Sequence, residues 1–117
     1  MIYIIEDDMS VRRSFEFFLE SEGLAFKSFG SAESFLSGAK PLMIDLLLLD
    51  VNLPAMDGLE LLDKLAEENK MIPAIVISAL DNAHTRERCR RQGVKAFLRK
   101  PVDGQTLVDL IKYHSNH

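Results

Sequence analysis

The chain has 117 residues, 47% hydrophobic and 27% charged, which is the apolar content that one globular domain of ordinary size can bury. Its net charge of −4, from 14 basic and 18 acidic residues, argues against nucleic acid as a direct partner, because phosphate binding needs clustered excess Lys and Arg. The single cysteine, Cys89, excludes an internal disulfide, and neither a leader pattern nor the ~20-residue apolar run of a membrane span is present; the expectation is one soluble, cytoplasmic domain over 1–117.

Ile2 to Ile5 is a short apolar strand that runs into Glu6, Asp7 and Asp8. From about Ser10 to Glu22, Val11, Phe15, Phe18 and Leu19 recur at helical spacing, and Gly23 stops the helix as a left-handed C-cap would. Leu24 to Phe29 alternates like an edge strand; Ser31 then caps a short helix through Ser37, closed by Gly38 and Pro41. Ile44 to Leu49 is the central strand. Its leucines are the continuous apolar run of a strand buried on both faces in a parallel sheet, and it delivers Asp50 at its carboxyl end.

Asp57 with Glu60 resembles a capping box for a helix to Glu68, with Leu59, Leu62, Leu65 and Ala66 inward. Ala74 to Ile77 is a second buried strand ending on Ser78. Asp81 caps a helix to Gln92 whose apolar residues are nearly limited to Ala83 and Cys89. This helix carries Arg86, Arg88, Arg90 and Arg91, buries little and is expected to be the most mobile element. Its arginines are read as a solvated face, with a dimer or effector surface as the alternative. Val94 to Leu98 is a short strand ending in Arg99, Lys100 and Pro101, and Asp103 starts a last helix with Leu107, Leu110 and Ile111 inward.

Strand and helix alternate along the whole chain with short connections. The fold class expected is α/β: a flavodoxin-like, doubly wound, five-stranded parallel sheet with five helices, of order 2-1-3-4-5 if the second strand is the outer edge. Ligands of such sheets sit outside the carboxyl ends of the strands, where the strand order reverses. There this sequence places Glu6-Asp7-Asp8, Asp50, Ser78 and Lys100, while the second strand ends in the uncharged Phe29-Gly30-Ser31. Each alone has an ordinary reading as a solvated turn, a strand end or a loop; their agreement at four strand ends favours a site. With adjacent strands ~4.8 Å apart, Asp7 and Asp50 repel by about 3 kcal/mol at an effective dielectric of about 20, and Glu6 and Asp8 add to this. One lysine cannot neutralise three or four carboxylates. The cluster predicts a hard divalent ion with oxygen ligands, Mg²⁺ first among them, with coordination positions left for a phosphoryl group. The Ser78 hydroxyl and Lys100 ammonium suit phosphoryl oxygens.

Along almost its whole length the chain resembles the receiver domain of two-component response regulators. The likeness is carried by Ile5-Glu6-Asp7-Asp8, by Leu49-Asp50-Val51-Asn52-Leu53-Pro54-Ala55-Met56-Asp57-Gly58, by Ile77-Ser78-Ala79 and by Phe97-Leu98-Arg99-Lys100-Pro101. The resemblance implies that Asp50 is the phosphoacceptor, that Asp7 is a direct Mg²⁺ ligand and Glu6 a ligand through water, and that the Asn52 backbone carbonyl is a third. It also implies that Lys100 and Ser78 act on the phosphoryl group, that Phe97 is the aromatic switch and that the Lys100–Pro101 peptide is cis. Phe97 lacks the hydroxyl of the commoner tyrosine, and Asn52 and Leu80 occupy positions that in this family tune the lifetime of the phosphoryl group.

The function so implied is a signalling switch rather than an enzyme, catalysing only its own phosphoryl transfer and autodephosphorylation. A histidine kinase or phosphotransfer protein donates to Asp50 with Mg²⁺, and the face formed by residues 81–113 changes to control an effector or partner. Transcription is the output expected. The Phe29–Glu33 stretch is similar to receivers placed before LuxR-type helix-turn-helix domains, and a phosphorylation-linked dimer is a further expectation. Ending at Tyr113–His117 without an effector, the chain reads as a stand-alone or an excised receiver. The rival from another class is a haloacid-dehalogenase-type phosphohydrolase, which needs a second acid where Asn52 stands. A degenerate receiver used as a docking module is disfavoured because acceptor, metal acids and lysine are all present; an FMN carrier is disfavoured because Glu6-Asp7-Asp8 would repel the phosphate.

Overall fold

A computed structural model describes residues 1–42 and 44–115. The elements follow the order β1 (Ile2–Ile5), α1 (Met9–Ser21), β2 (Phe26–Phe29), α2 (Ala32–Gly38), β3 (Leu46–Asp50), α3 (Gly58–Glu67), β4 (Ala74–Ser78), α4 (Ala83–Arg91), β5 (Ala96–Arg99) and α5 (Gly104–Ser115). All pairings are parallel and the sheet order is β2-β1-β3-β4-β5, so the carboxyl ends of β1 and β3 are neighbours at the reversal point. Among the described residues no helix is long and apolar enough to cross a membrane.

The two-residue repeat of a strand divides the apolar run between two cores. Tyr3, Ile5, Leu47, Leu49 and Val76 face one layer with Phe35, Leu59, Leu61, Leu65 and Cys89, from α2, α3 and α4. Ile2, Ile4, Leu46, Leu48, Ile75 and Ile77 face the other with Phe15 and Leu19 of α1 and Leu107 and Ile111 of α5. Every residue of β1, β3 and β4 is buried, whereas the outer strands β2 and β5 are only half-buried.

Several boundaries differ from the expectations, each for a local reason. Ile44 is not in the central strand; it is 82% exposed, and β3 starts at Leu46 because the buried Asp45 turns inward to accept from Leu42 N at 2.7 Å and to pair with the amino terminus at 3.3 Å. Helix α3 buries Leu61 and leaves Ala66 exposed, and α5 buries Val108 while Leu110 is half-buried. The N-cap of α4 is Asn82, which accepts from Thr85 N, because Asp81 is engaged by Arg86. Strand β2 begins at Phe26 and β5 spans 96–99, two residues later than read from the apolar run. The capping box of Asp57 and Glu60 is formed, and Gly23 ends α1 with φ +68.

Candidate functional site

Register decides which acids meet. Ile5 pairs with Leu49, so Glu6 follows level with Asp50, one strand apart. Glu6 is 1% exposed and Asp50 3% exposed, while Asp7, in the bend that follows β1, is exposed. Carboxylate oxygens of Glu6, Asp7 and Asp50 lie within 4.8 Å of one another. Asp8 does not join them: its side chain accepts from Val11 N at 3.1 Å and caps α1, which corrects the expectation that it adds to the acidic neighbours.

Lys100 enters from the end of β5. Its backbone N donates to Ser78 O at 2.9 Å, and its Nζ donates to Glu6 Oε1 at 2.6 Å and to Asp50 Oδ2 at 3.0 Å. The second Asp50 oxygen accepts from Asn52 N at 3.0 Å, so both oxygens of this buried carboxylate are engaged. A single ammonium is shared between two buried acids. Burial first, and then the adjoining Asp50, push the Glu6 carboxyl up to about 7 although Lys100 pulls it down. Burial on its own would lower the Lys100 pKa; its bonds to Glu6 and Asp50 outweigh that and raise it.

Ser78, 1% exposed at the end of β4, accepts at Oγ from Leu80 N at 3.0 Å and from Asn52 Nδ2 at 3.3 Å. Its proton is therefore the one part of the hydroxyl not committed by these two donors. The Lys100–Pro101 peptide is cis. Phe97 is half-buried on β5 against the Cys89 core, and the Arg86 guanidinium lies 4.6 Å from its ring centroid.

Acids from β1 and β3, Ser78 from β4 and Lys100 from β5 thus converge, and the Asp50-to-Gly58 loop is pinned beneath them. Gly58 N donates to Val51 O at 2.9 Å, so closely that a Cβ on Gly58 would stand 2.4 Å from the Asp50 carbonyl oxygen. Three features escaped the sequence reading: the direct Glu6–Lys100 pair, this glycine contact and the Arg86–Phe97 contact. Strand register would have exposed the first; the Asp57-Gly58 pair at a helix start signalled the second; the third depends on side-chain packing that no spacing encodes.

The model for the response regulator receiver domain family matches residues 2–112. The chain is 36% identical over 111 residues to Nodulation protein W of Bradyrhizobium diazoefficiens, covering 95% of this chain and 49% of that protein. It is 32% identical over 116 residues to Transcriptional regulatory protein FixJ of Rhizobium meliloti, covering 99% and 57% respectively. This chain therefore spans about half the length of those curated relatives. The crystal structure of FixJ-N superposes with a TM-score of 0.87 at 32% identity, covering 99% of this chain and 93% of the other. The chain belongs to the response regulator receiver domain family.

Proposed function

We propose that this domain is a phosphorylation-dependent switch in which Asp50 accepts a phosphoryl group from the phosphohistidine of a histidine kinase or phosphotransfer protein. The observation that carries the reading is the buried Asp50 carboxylate shared with Glu6 around the Lys100 ammonium, beside Asp7 and at the reversal point of the sheet. All three acids offer hard oxygen donors within 4.8 Å, and one lysine leaves their charge under-compensated; this donor set fits Mg²⁺. Glu6, Asp7 and Asp50 with the Asn52 carbonyl would hold it, and when bound the ion supplies positive charge to the phosphoryl oxygens.

One Asp50 oxygen attacks phosphorus in line, a P–O bond forms as the P–N bond to the donor imidazole breaks, and the imidazole leaves with the bonding pair. Asn52 N orients the attacking carboxylate. The Lys100 ammonium is placed to exchange its Asp50 contact for a phosphoryl oxygen, and the Ser78 hydroxyl proton is available to another. If the Ser78 side chain turns toward that oxygen, its bonds from Leu80 N and Asn52 Nδ2 are given up, which disturbs the loop leading into α4. Phosphorylation then acts by stabilising one of two forms of the 81–113 face, with Phe97 turning inward, and an effector or partner reads that face. Membership of a family of signalling regulators supports an activity in signalling. Similarity to Transcriptional regulatory protein FixJ supports a transcriptional output through a further domain or partner, of which a LuxR-type helix-turn-helix is one form, and a phosphorylation-linked dimer is its simplest readout.

Incubation with Mg²⁺ and acetyl phosphate, read by intact mass, should add one phosphoryl group to the protein and none to Asp50→Asn. Modification of the Asp50→Asn protein to the same extent would sink the assignment, and so would repeated turnover of a phosphomonoester without labelling.

A further inference from the structure

Helix α4 meets the rest of the domain through few side chains. Cys89 is the only residue buried within it. Arg88 pairs with Asp63 on α3 at 3.1 Å, and Arg90 and Arg91 both pair with Glu87 of the same helix. Arg86 differs from these three. Its Nη2 donates to Asp81 Oδ2 at 2.9 Å, its Nε reaches the other oxygen of the same carboxylate, and the plane so fixed stands over the Phe97 ring at 4.6 Å. A guanidinium tied down by a two-point carboxylate fork has few rotamers left, so it covers the ring without paying that ordering cost again. Beside this contact lies an open groove of about 470 Å³ to which Arg86, Glu87 and Arg90 contribute together with Cys89, Val94 and Phe97.

We propose that Asp81 and Arg86 form a latch that holds the Phe97 ring in its resting place, and that this latch sets the resting equilibrium of the switch. Phenylalanine has no hydroxyl with which to hold itself at the surface, so its resting position has to be secured through the ring face. Asp81 lies three residues after Ser78 and one after Leu80, whose N–H is bonded to Ser78 Oγ. Movement of Ser78 therefore pulls on the segment that anchors the fork. The latch as a regulatory device rests on the phosphoacceptor reading of Asp50; the latch as a contact does not.

The test uses the full chain labelled with 4-fluorophenylalanine, the Phe97 resonance being assigned by its loss in Phe97→Leu. Without any phosphodonor, Arg86→Ala and Asp81→Asn should each move the Phe97 signal further than those of the other phenylalanines. Arg86→Lys, which keeps charge but not the fork, should move it less. With Mg²⁺ and acetyl phosphate, the wild-type signal should shift, and that of resting Arg86→Ala should already lie part of the way there. The corresponding gain in the population of the displaced ring position is about two- to fivefold, the worth of one exposed cation–π contact. A Phe97 signal that does not respond to Arg86→Ala overturns the latch, as does one displaced away from the acetyl-phosphate position. If acetyl phosphate leaves the wild-type spectrum unchanged while Arg86→Ala still moves Phe97, the Asp50 reading fails and the contact stands.

Discussion

Replacing Gly58 by alanine tests how the acceptor loop is built. Gly58 is the first residue of α3, and its added Cβ would lie 2.4 Å from the Asp50 carbonyl oxygen, 3.0 Å from Val51 Cα and 3.1 Å from Asp50 C. All three are backbone atoms of the strand end that carries Asp50, so no side chain can rotate out of the way. Restoring an ordinary contact near 3.4 Å requires α3 and the end of β3 to separate by roughly 1 Å, which also stretches the 2.9 Å bond from Gly58 N to Val51 O. Overpacking of this kind costs about 1–3 kcal/mol and the weakened hydrogen bond about 1 more, against which the better helix propensity of alanine returns up to about 1. The net loss is about 1–3 kcal/mol, or about 4–12 °C in Tm for a domain of this size. A shift of the Asp50 carboxylate by a fraction of an ångström slows an in-line reaction, so labelling by acetyl phosphate should fall as well, by up to about a hundredfold. Thermal unfolding followed by circular dichroism and the rate of labelling followed by mass are the two assays. Gly30→Ala is the control, since its Cβ would meet only the flexible end of Arg12 at 3.1 Å. A Gly58→Ala protein that melts within a degree of the wild type and of Gly30→Ala refutes the argument.

The raised Glu6 pKa links pH, metal and stability. Its folded value of about 7 lies above the ordinary 4.5, so the folded state prefers the proton; that contribution is fully present below pH 4.5 and is lost as pH rises through 7. Mg²⁺ needs the ionised carboxylate, so the gain in Tm on adding saturating Mg²⁺ should be larger at pH 8 than at pH 6, and equal gains at both would contradict it. In the core, Leu61→Ala should cost about 2–5 kcal/mol in chemical denaturation, while Ala66→Ser on the same helix should change stability by less than about 0.5. Comparable losses at the two positions would mean that the phase of α3 is misassigned.

The strands at the centre of the sheet were legible because Leu46–Leu49 and Ala74–Ile77 are apolar without interruption, and such runs have no other place in a domain of this size. The alternation of strand and helix implies a parallel sheet and the list of strand ends, and hence the four groups of the candidate site; the order 2-1-3-4-5 needs in addition that the uncharged second strand lies at the edge, as it does. What stayed hidden was one step of phase. Sequence shows that Glu6, Asp7 and Asp8 follow β1, but only the Ile5–Leu49 register shows that Glu6, and not Asp7, is buried beside Asp50. One helical step of about 100° likewise separates Leu61 from Leu62, and with both leucines present the pattern did not say that both go inside. Ile44 misled because an apolar residue extends a strand pattern by default, whereas the ion pair of Asp45 with the amino terminus is a contact between distant parts of the chain.

The distribution of burial explains why the candidate site is assembled as it is. Asp50, Glu6 and Ser78 sit on or directly after β1, β3 and β4, strands with no exposed residue, packed on both faces by the two cores. Phosphoryl transfer demands that rigidity, because the attacking oxygen, the lysine and the donors must already be in place. Lys100 and Phe97 are carried instead by half-buried β5, next to α4 with its one buried side chain. Displacing that edge breaks surface ion pairs worth about 0–1 kcal/mol each and exposes little apolar area, whereas displacing β3 would open both cores. Under the proposed function, a modest change in free energy at Asp50 would therefore be expected to move α4 and β5 before any other element. The direction proposed for the signal, from the sheet centre toward residues 81–99, agrees with this distribution of buried apolar side chains.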